Sequence, residues 1–241
     1  ALVNIASNEN NPLTGRVAAI FTLKQLDGIE AKTNLIKLSK QTKITEFALR
    51  ALTDRQSELD NLNSEPFVHA LGSNNLRVRA QALISLGRLG DISASKDILP
   101  HATSSQLVKQ PLQNQPNPSA IIPHVAIRAL VALKPIDTLL AALDTSLKST
   151  SLSVLKYIHD DTVVDQLVSR IKTKPDLEIF ATLIRLYHRE GDYNEGWWGT
   201  RPDTSGPYFD RVKWKASDKI ESGLRDSLNR APKEMVNSVQ K

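Results

Sequence analysis

The chain has 241 residues, 40% hydrophobic and 24% charged, long enough for one large core or a short array of helical pairs. It contains no Cys, which excludes disulfides, thiolate metal sites and covalent c-type haem attachment within it, and no apolar run reaches the roughly 18 residues of a membrane span. Lys and Arg outnumber Asp and Glu by 31 to 26, a net charge of +5 that keeps nucleic acid or an acidic partner in play, although no block of like charges occurs.

Taken in chain order, the opening Ala1-Leu2-Val3-Asn4-Ile5 lacks a basic region followed by an apolar run and does not read as a signal peptide. Six later segments share the pattern small–apolar–x–x–apolar. They start at Ala19, Ala48, Ala82, Ala126, Val154 and Thr182, at intervals of 29, 34, 44, 28 and 28 residues. Apolar residues three and four apart lie on one stripe of a helix, and the small first residue lets a neighbouring helix come close. Leu26, Leu89 and Leu133 extend the stripe in three of the segments.

Between these inner helices lie shorter amphipathic runs: Asn34 to Ser39, Pro66 to Leu71, Ile92 to Leu99, Ile136 to Leu143 and Val163 to Ile171. Each reads as the outer helix of a hairpin. A helical pair of this length cannot bury its own apolar face and must stack on its neighbours. The expected fold is therefore all-α, a HEAT/armadillo-like solenoid of about six hairpins over residues 1–190. The competing arrangement is an ordinary helical bundle.

The clearest unit runs from Leu76 to Asp91, with Asn74 or Asn75 as its N-cap and Gly90 in a left-handed turn just past its end. Residues 104–119, with Pro111, Pro116 and Pro118 among Gln and Asn, read as a polar insertion, which accounts for the 44-residue interval. His159-Asp160-Asp161 could set an imidazole beside a carboxylate, but capping of the next helix by Asp160 or Asp161 is the stronger expectation.

The helical period stops at Glu190-Gly191-Asp192. Residues 191–241 then form a Gly/Pro-rich aromatic loop and a final helix, roughly Asp218 to Leu228 with Ser217 as N-cap, belonging to the same domain; Pro232 opens a last helical turn. Large aromatic side chains cost about 1.5–3 kcal/mol each to leave in water, so this loop must dock. Two readings stand. Trp197, Trp198 and Trp214 seal the open end of the stack, or Trp197, Trp198, Arg201, Asp203, Tyr208 and Trp214 present a shallow site for a sugar ring or another planar group.

The run Tyr187-His188-Arg189-Glu190-Gly191, followed by Trp197-Trp198-Gly199-Thr200-Arg201-Pro202-Asp203-Thr204-Ser205-Gly206-Pro207-Tyr208-Phe209, resembles a segment of large planctomycete-type multidomain proteins. These combine a sugar-dehydrogenase-like propeller, HEAT repeats and often a C-terminal c-type haem domain. Asn11-Pro12-Leu13-Thr14-Gly15-Arg16-Val17 is similar to the entry into their HEAT region. The resemblance implies a module of a periplasmic or secreted protein that oxidises carbohydrate. Neither a Cys-x-x-Cys-His motif nor a propeller signature is present here, so the redox chemistry of such a parent does not transfer.

No catalytic residue is singled out. The five histidines, His69, His101, His124, His159 and His188, include no pair four apart on a helix, so no helix-borne metal pair is expected. Gly-x-Ser-x-Gly, Gly-rich phosphate-loop and calcium-loop motifs are missing. Neither catalysis nor a cofactor is expected. The expected role is a non-catalytic interaction or scaffold module, partnered by another protein or by neighbouring domains of a parent chain. The alternatives are a carbohydrate-contacting surface of a sugar-oxidising enzyme and a HEAT-like nucleic-acid binder. For the last, Arg50, Arg128 and Lys156 recur at one repeat position, but Phe21, Ile84 and Ile184 interrupt that row.

Overall fold

The computed structural model describes residues 1–103, 118–192 and 211–230. They are almost entirely helical. In order come α1 (Leu2–Ser7), α2 (Leu13–Asp27), α3 (Lys32–Leu38), α4 (Thr45–Leu52), α5 (Glu65–Ala70), α6 (Leu76–Leu89), α7 (Ser95–Ile98), α8 (Pro118–Leu133) and α9 (Ile136–Ala142). They are followed by α10 (Lys148–Leu155), α11 (Asp161–Thr173), α12 (Leu177–Leu186), β1 (His188–Glu190), β2 (Arg211–Lys213) and α13 (Ser217–Leu228). No described helix is long and apolar enough to cross a membrane. The chain divides into two compact units, Ala1–Thr138 and Leu139–Lys241.

In the first unit the inner helices stack in sequence, α2 on α4, α4 on α6 and α6 on α8, while α3 and α5 lean on the inner helix that follows each of them. The expected apolar stripes make this core: Ile20 and Leu23 of α2, Leu49 and Leu52 of α4, Leu83 and Leu86 of α6 and Leu130 of α8 are all buried. Small residues permit the closest approach. A Cβ on Gly87 would lie 3.0 Å from Ala129 Cα, so α6 and α8 meet nearly backbone to backbone. The N-cap falls to Asn75, whose side chain accepts from the Arg77 N–H at 2.9 Å, and Gly90 ends the helix at φ 76°.

Polar contacts between neighbouring inner helices keep one sequence interval. Glu46 receives Arg77, 31 residues on, through bonds of 2.6–3.1 Å. Thr53 and Ser85 share a buried hydroxyl–hydroxyl bond of 2.8 Å at a separation of 32. The Arg88 guanidinium donates to the Asp54 carbonyl, 34 away. Across the longer interval left by the insertion, Ser95 bonds Thr138 at a separation of 43.

Three features depart from the apolar pattern. Leu26 is 72% exposed rather than on the stripe. At that turn Lys24 occupies the inward position, with its ammonium 2.5 Å from Glu58, and Gly28 at φ 53° turns the chain away. The outer run expected over Ile92–Leu99 is broken into short 3₁₀ turns around α7. Finally, α1 had no sequence signal. It is held by Arg16, only 1% exposed, whose Nε donates to the Ala6 carbonyl at 2.8 Å and whose Nη2 donates to Gln41 Oε1 at 2.7 Å.

In the second unit α10 packs on α12, and α13 packs on both α11 and α12. Phe180, Leu183 and Leu186 of α12 join Leu152 and Leu155 of α10 and Val163, Leu167 and Ile171 of α11 in the core. Asp160 caps α11, its carboxylate accepting from the Thr162 and Val163 N–H groups, as the capping reading of His159-Asp160-Asp161 expected. The interval recurs here: Lys148 pairs with Asp176 across 28 residues, and Ser149 donates to Glu178 across 29 at 2.6 Å. The inner segment expected to run from Val154 to Ile158 stops being helical at Leu155.

The sequence pattern had left almost no room for strand, yet β1 and β2 pair antiparallel with Glu190 opposite Arg211. The preceding helix accordingly ends at Leu186, before the expected stop at Glu190. The insertion expected over 104–119 lies outside the described residues up to 117, and α8 starts within its last two positions, at Pro118. Pro suits a first helical turn because it has no N–H to leave unpaired.

Candidate functional site

Of the residues singled out in the aromatic segment, Trp197, Trp198, Arg201, Asp203 and Tyr208 lie outside the described residues, as does Pro232. Trp214 is described, and it defines a corner where the end of α12, the two strands and the start of α13 converge. Its indole N–H donates to the Leu186 carbonyl at 2.8 Å. That carbonyl belongs to the last turn of α12, whose final carbonyls have no partner inside the helix. The Trp214 backbone N–H donates to Ser217 Oγ at 2.9 Å, and the Ser217 hydroxyl donates to the Tyr187 carbonyl at 2.7 Å.

Ser217 therefore does not cap α13 with its side chain, contrary to expectation. Its hydroxyl is committed to Trp214 and Tyr187, and the helix starts on Ser217 itself with Ala216 at the N-cap. Tyr187 completes the corner. Its hydroxyl donates to Glu221 Oε2 at 3.1 Å, and Lys213 Nζ lies 5.3 Å from its ring centroid. Arg225 first, and then Tyr187, hold the Glu221 carboxyl below the usual carboxylate range.

The Trp214 ring meets His159 edge to face, centroids 5.3 Å apart at 77°. His159 Nε2 lies 2.9 Å from the His188 carbonyl, so this nitrogen carries the proton and donates it. Sequence reading had placed His159 at a helix end; the structure makes it a half-buried link to β1. Burial pushes the His159 imidazole below its ordinary value and outweighs the His188 bond, which favours the charged form; the nearby Arg185 and Arg189 push it down further. A folded-state value below the unfolded one means that the neutral ring is the stabilising form. Its contribution is complete above pH 6.5 and is lost as the pH falls through and below 6.5. The urea midpoint should accordingly fall between pH 8 and pH 5. In His159→Gln, whose amide can donate to the same carbonyl without titrating, the fall should be smaller. An equal fall in both proteins would assign the pH dependence to another group, such as His101, which burial also pushes down.

Among the described residues the corner's donors are used within it: the Trp214 indole N–H on Leu186, its backbone N–H on Ser217 and the Ser217 hydroxyl on Tyr187. The first unit offers a cleft of about 740 Å³ between α3 and α5, lined by Ile36, Lys40, Glu65, His69, Asn75 and Val78. Its charges are mixed and do not converge. Among the described residues no group of three His, Cys, Asp or Glu could hold a metal ion.

Exposed side chains of the second unit form a different arrangement, one that the row at Arg50, Arg128 and Lys156 only hinted at. Tyr157, 42% exposed, has Lys156 Nζ at 5.3 Å and Arg185 Cζ at 5.8 Å from its ring centroid. In the first unit the same row brings Arg50 Cζ to 6.0 Å from the Phe21 ring. A cation over an aromatic face is attracted to its negative quadrupole. Residues 28 and 29 apart in sequence meet in these two pairs. No protein-family model matches this sequence, and a search of curated proteins finds no significant similarity.

Proposed function

We propose that this chain is a non-catalytic interaction module, a HEAT-like stack of helical hairpins serving as a scaffold within a larger protein outside the cytoplasm. The observation that carries the reading is an interval that recurs in contacts between successive elements, with α13 meeting α11 at about twice that separation, 54 and 56 residues. Arg77 with Glu46, Ser85 with Thr53, Lys148 with Asp176 and Trp214 with Leu186 are all separated by 28–32 residues. A bundle closed around one centre joins helices at many separations, whereas stacked repeats join each hairpin to the next. Supporting residues are spent on structure: the indole of Trp214, the hydroxyl of Ser217 and the carboxylates of Asp160 and Asp176 all serve helix ends or their neighbours. The extracytoplasmic placement rests on the resemblance of the aromatic segment alone.

Hydrogen exchange on a destabilised variant tests the architecture. Leu86→Ala removes a fully buried side chain from α6 and should speed exchange in α4, α6 and α8 while leaving α12 unchanged, because stability in a stack is passed between neighbours. Equal acceleration in α12, or solution scattering from a particle as round as a sphere, overturns the stacked-repeat reading. Turnover of any sugar or nucleic acid substrate by the intact chain overturns the non-catalytic one.

A further inference from the structure

Six of the described cations in the second unit are matched by an acid. Lys148, Arg170, Lys213, Lys215, Lys219 and Arg225 each sit on a carboxylate. Lys156, Arg185 and Arg189 have no such partner among the described residues. Lys172, Lys174, Arg211 and Arg230 also lack one, but Lys156 and Arg185 gather at a single exposed ring. Lys156 and Arg185 lie over Tyr157, and Arg185 and Arg189 both act on His159, two residues further on. Two acids close in sequence are committed elsewhere: Asp160 caps α11 and Asp161 pairs with Lys215. Beside the cations on α12 stands Ile184, 52% exposed.

Gathering like charges without an ion-pair partner among the described residues costs free energy in the isolated fold, and an anionic ligand would recover it. Ligand class follows from the surroundings. The ring of Tyr157 already has cations over it, so it offers no bare face on which a nucleobase or a sugar could stack. Three cations are few against a nucleic acid with a charge every ~1.7 Å of duplex, and Ile184 would lie unproductively beneath its phosphates. An extended peptide fits both elements. Its alternate side chains project on one face at about 7 Å spacing, so carboxylates can meet the guanidinium groups while an intervening aliphatic side chain covers Ile184.

We infer that the patch formed by Lys156, Tyr157, Arg185 and Arg189, with Ile184 at its edge, is a docking site for an acidic peptide segment of a partner protein. The inference rests on the interaction-module reading and adds to it the place and the chemistry of the contact. Carboxylates of the peptide pair with Arg185, Arg189 and Lys156, and its aliphatic residues lie on Ile184 and the free edge of Tyr157.

Fluorescence anisotropy on the intact chain tests this, with a labelled ten-residue peptide of alternating Glu and Leu as probe. The expected result is saturable binding that weakens as salt rises. Charge reversal in Lys156→Glu/Arg185→Glu should weaken it at least tenfold, and the milder Lys156→Gln/Arg185→Gln provides the same test if the reversal fails to fold. Lys172→Glu/Lys174→Glu, with the same change in net charge elsewhere on the unit, should bind within twofold of the parent. Equal loss in both reversals, no loss in either, or no binding at low salt overturns the inference. So does a single-stranded DNA of matched charge that binds more tightly than the peptide, or inorganic phosphate that displaces it at equal charge. Failure here with the hydrogen-exchange pattern intact removes the patch alone; failure of that pattern removes the module beneath it.

Discussion

Arg16→Ala is expected to lower stability by about 3 kcal/mol. The guanidinium is fully buried and pairs with no carboxylate among the described residues; its acceptors are the Ala6 carbonyl and the amide oxygen of Gln41. Two effects oppose each other. Removing an uncompensated buried charge relieves a desolvation cost. Against that, truncation opens a cavity, and it strands a carbonyl at the end of α1 together with a side-chain oxygen, each costing roughly 1–3 kcal/mol when left without a donor. The second effect wins for Ala, because the volume is not refilled. Arg16→Met refills it without donating, so its loss should be smaller than that of Ala. Urea unfolding of the three proteins checks the order. A Met variant less stable than the Ala variant would show that packing is not the larger part.

The consequence should be local as well. With only six residues, α1 is too short to persist alone, and besides Arg16 it has the Asn11 amide donating to the Ile5 carbonyl at 3.0 Å. Amide exchange across Leu2–Ser7 should therefore rise more than the global change accounts for.

Gly223→Val is expected to cost about 2–3 kcal/mol and to loosen α13 from α11. A Cβ at Gly223 would lie 2.7 Å from Val168 Cγ1, closer than any real contact, and Val168 is a short branched side chain with nowhere to swing. Ile220, fully buried, and Ser227, whose hydroxyl donates to the Ile171 carbonyl at 2.8 Å, hold the helix on either side of that point. The glycine could not be avoided without moving the whole helix. Gly223→Ala should cost less, since only one methyl has to be accommodated against Val168. Trp214 fluorescence should report the change, as its backbone N–H bonds Ser217 at the foot of α13 while its indole is held on Leu186 of α12. Unchanged melting in the Val variant would mean that the two helices part readily.

What the sequence disclosed divides along the range of the interactions. Inner helices were legible because their apolar stripes repeat within one turn, and the caps at Asn75, Gly90 and Asp160 because a cap needs only its own neighbours. Burial of Arg16 was not legible: nothing in Asn11-Pro12-Leu13-Thr14-Gly15-Arg16 indicates that a carbonyl ten residues earlier will face it. The strands were invisible for the same reason. Each is three residues long, and their pairing joins positions separated by more than twenty residues. Aromatic clustering did point to Trp214, but not to its partners, Leu186 and His159. The Lys156 row reads in sequence as a broken ladder of charge, because Tyr157 follows α10 and Arg185 lies on α12, and the two meet only once those helices pack.

The short ribbon of β1 and β2 has a use beyond tidying two chain ends. It brings Glu190 and Arg211 side by side, so the intervening stretch departs and returns through adjacent doorposts. Lengthening such a stretch twofold adds only about 0.6 kcal/mol to closure. The site is therefore a natural graft point. Foreign sequence inserted between those two residues should leave the helices on either side in place, which makes the chain a ready carrier for displayed segments.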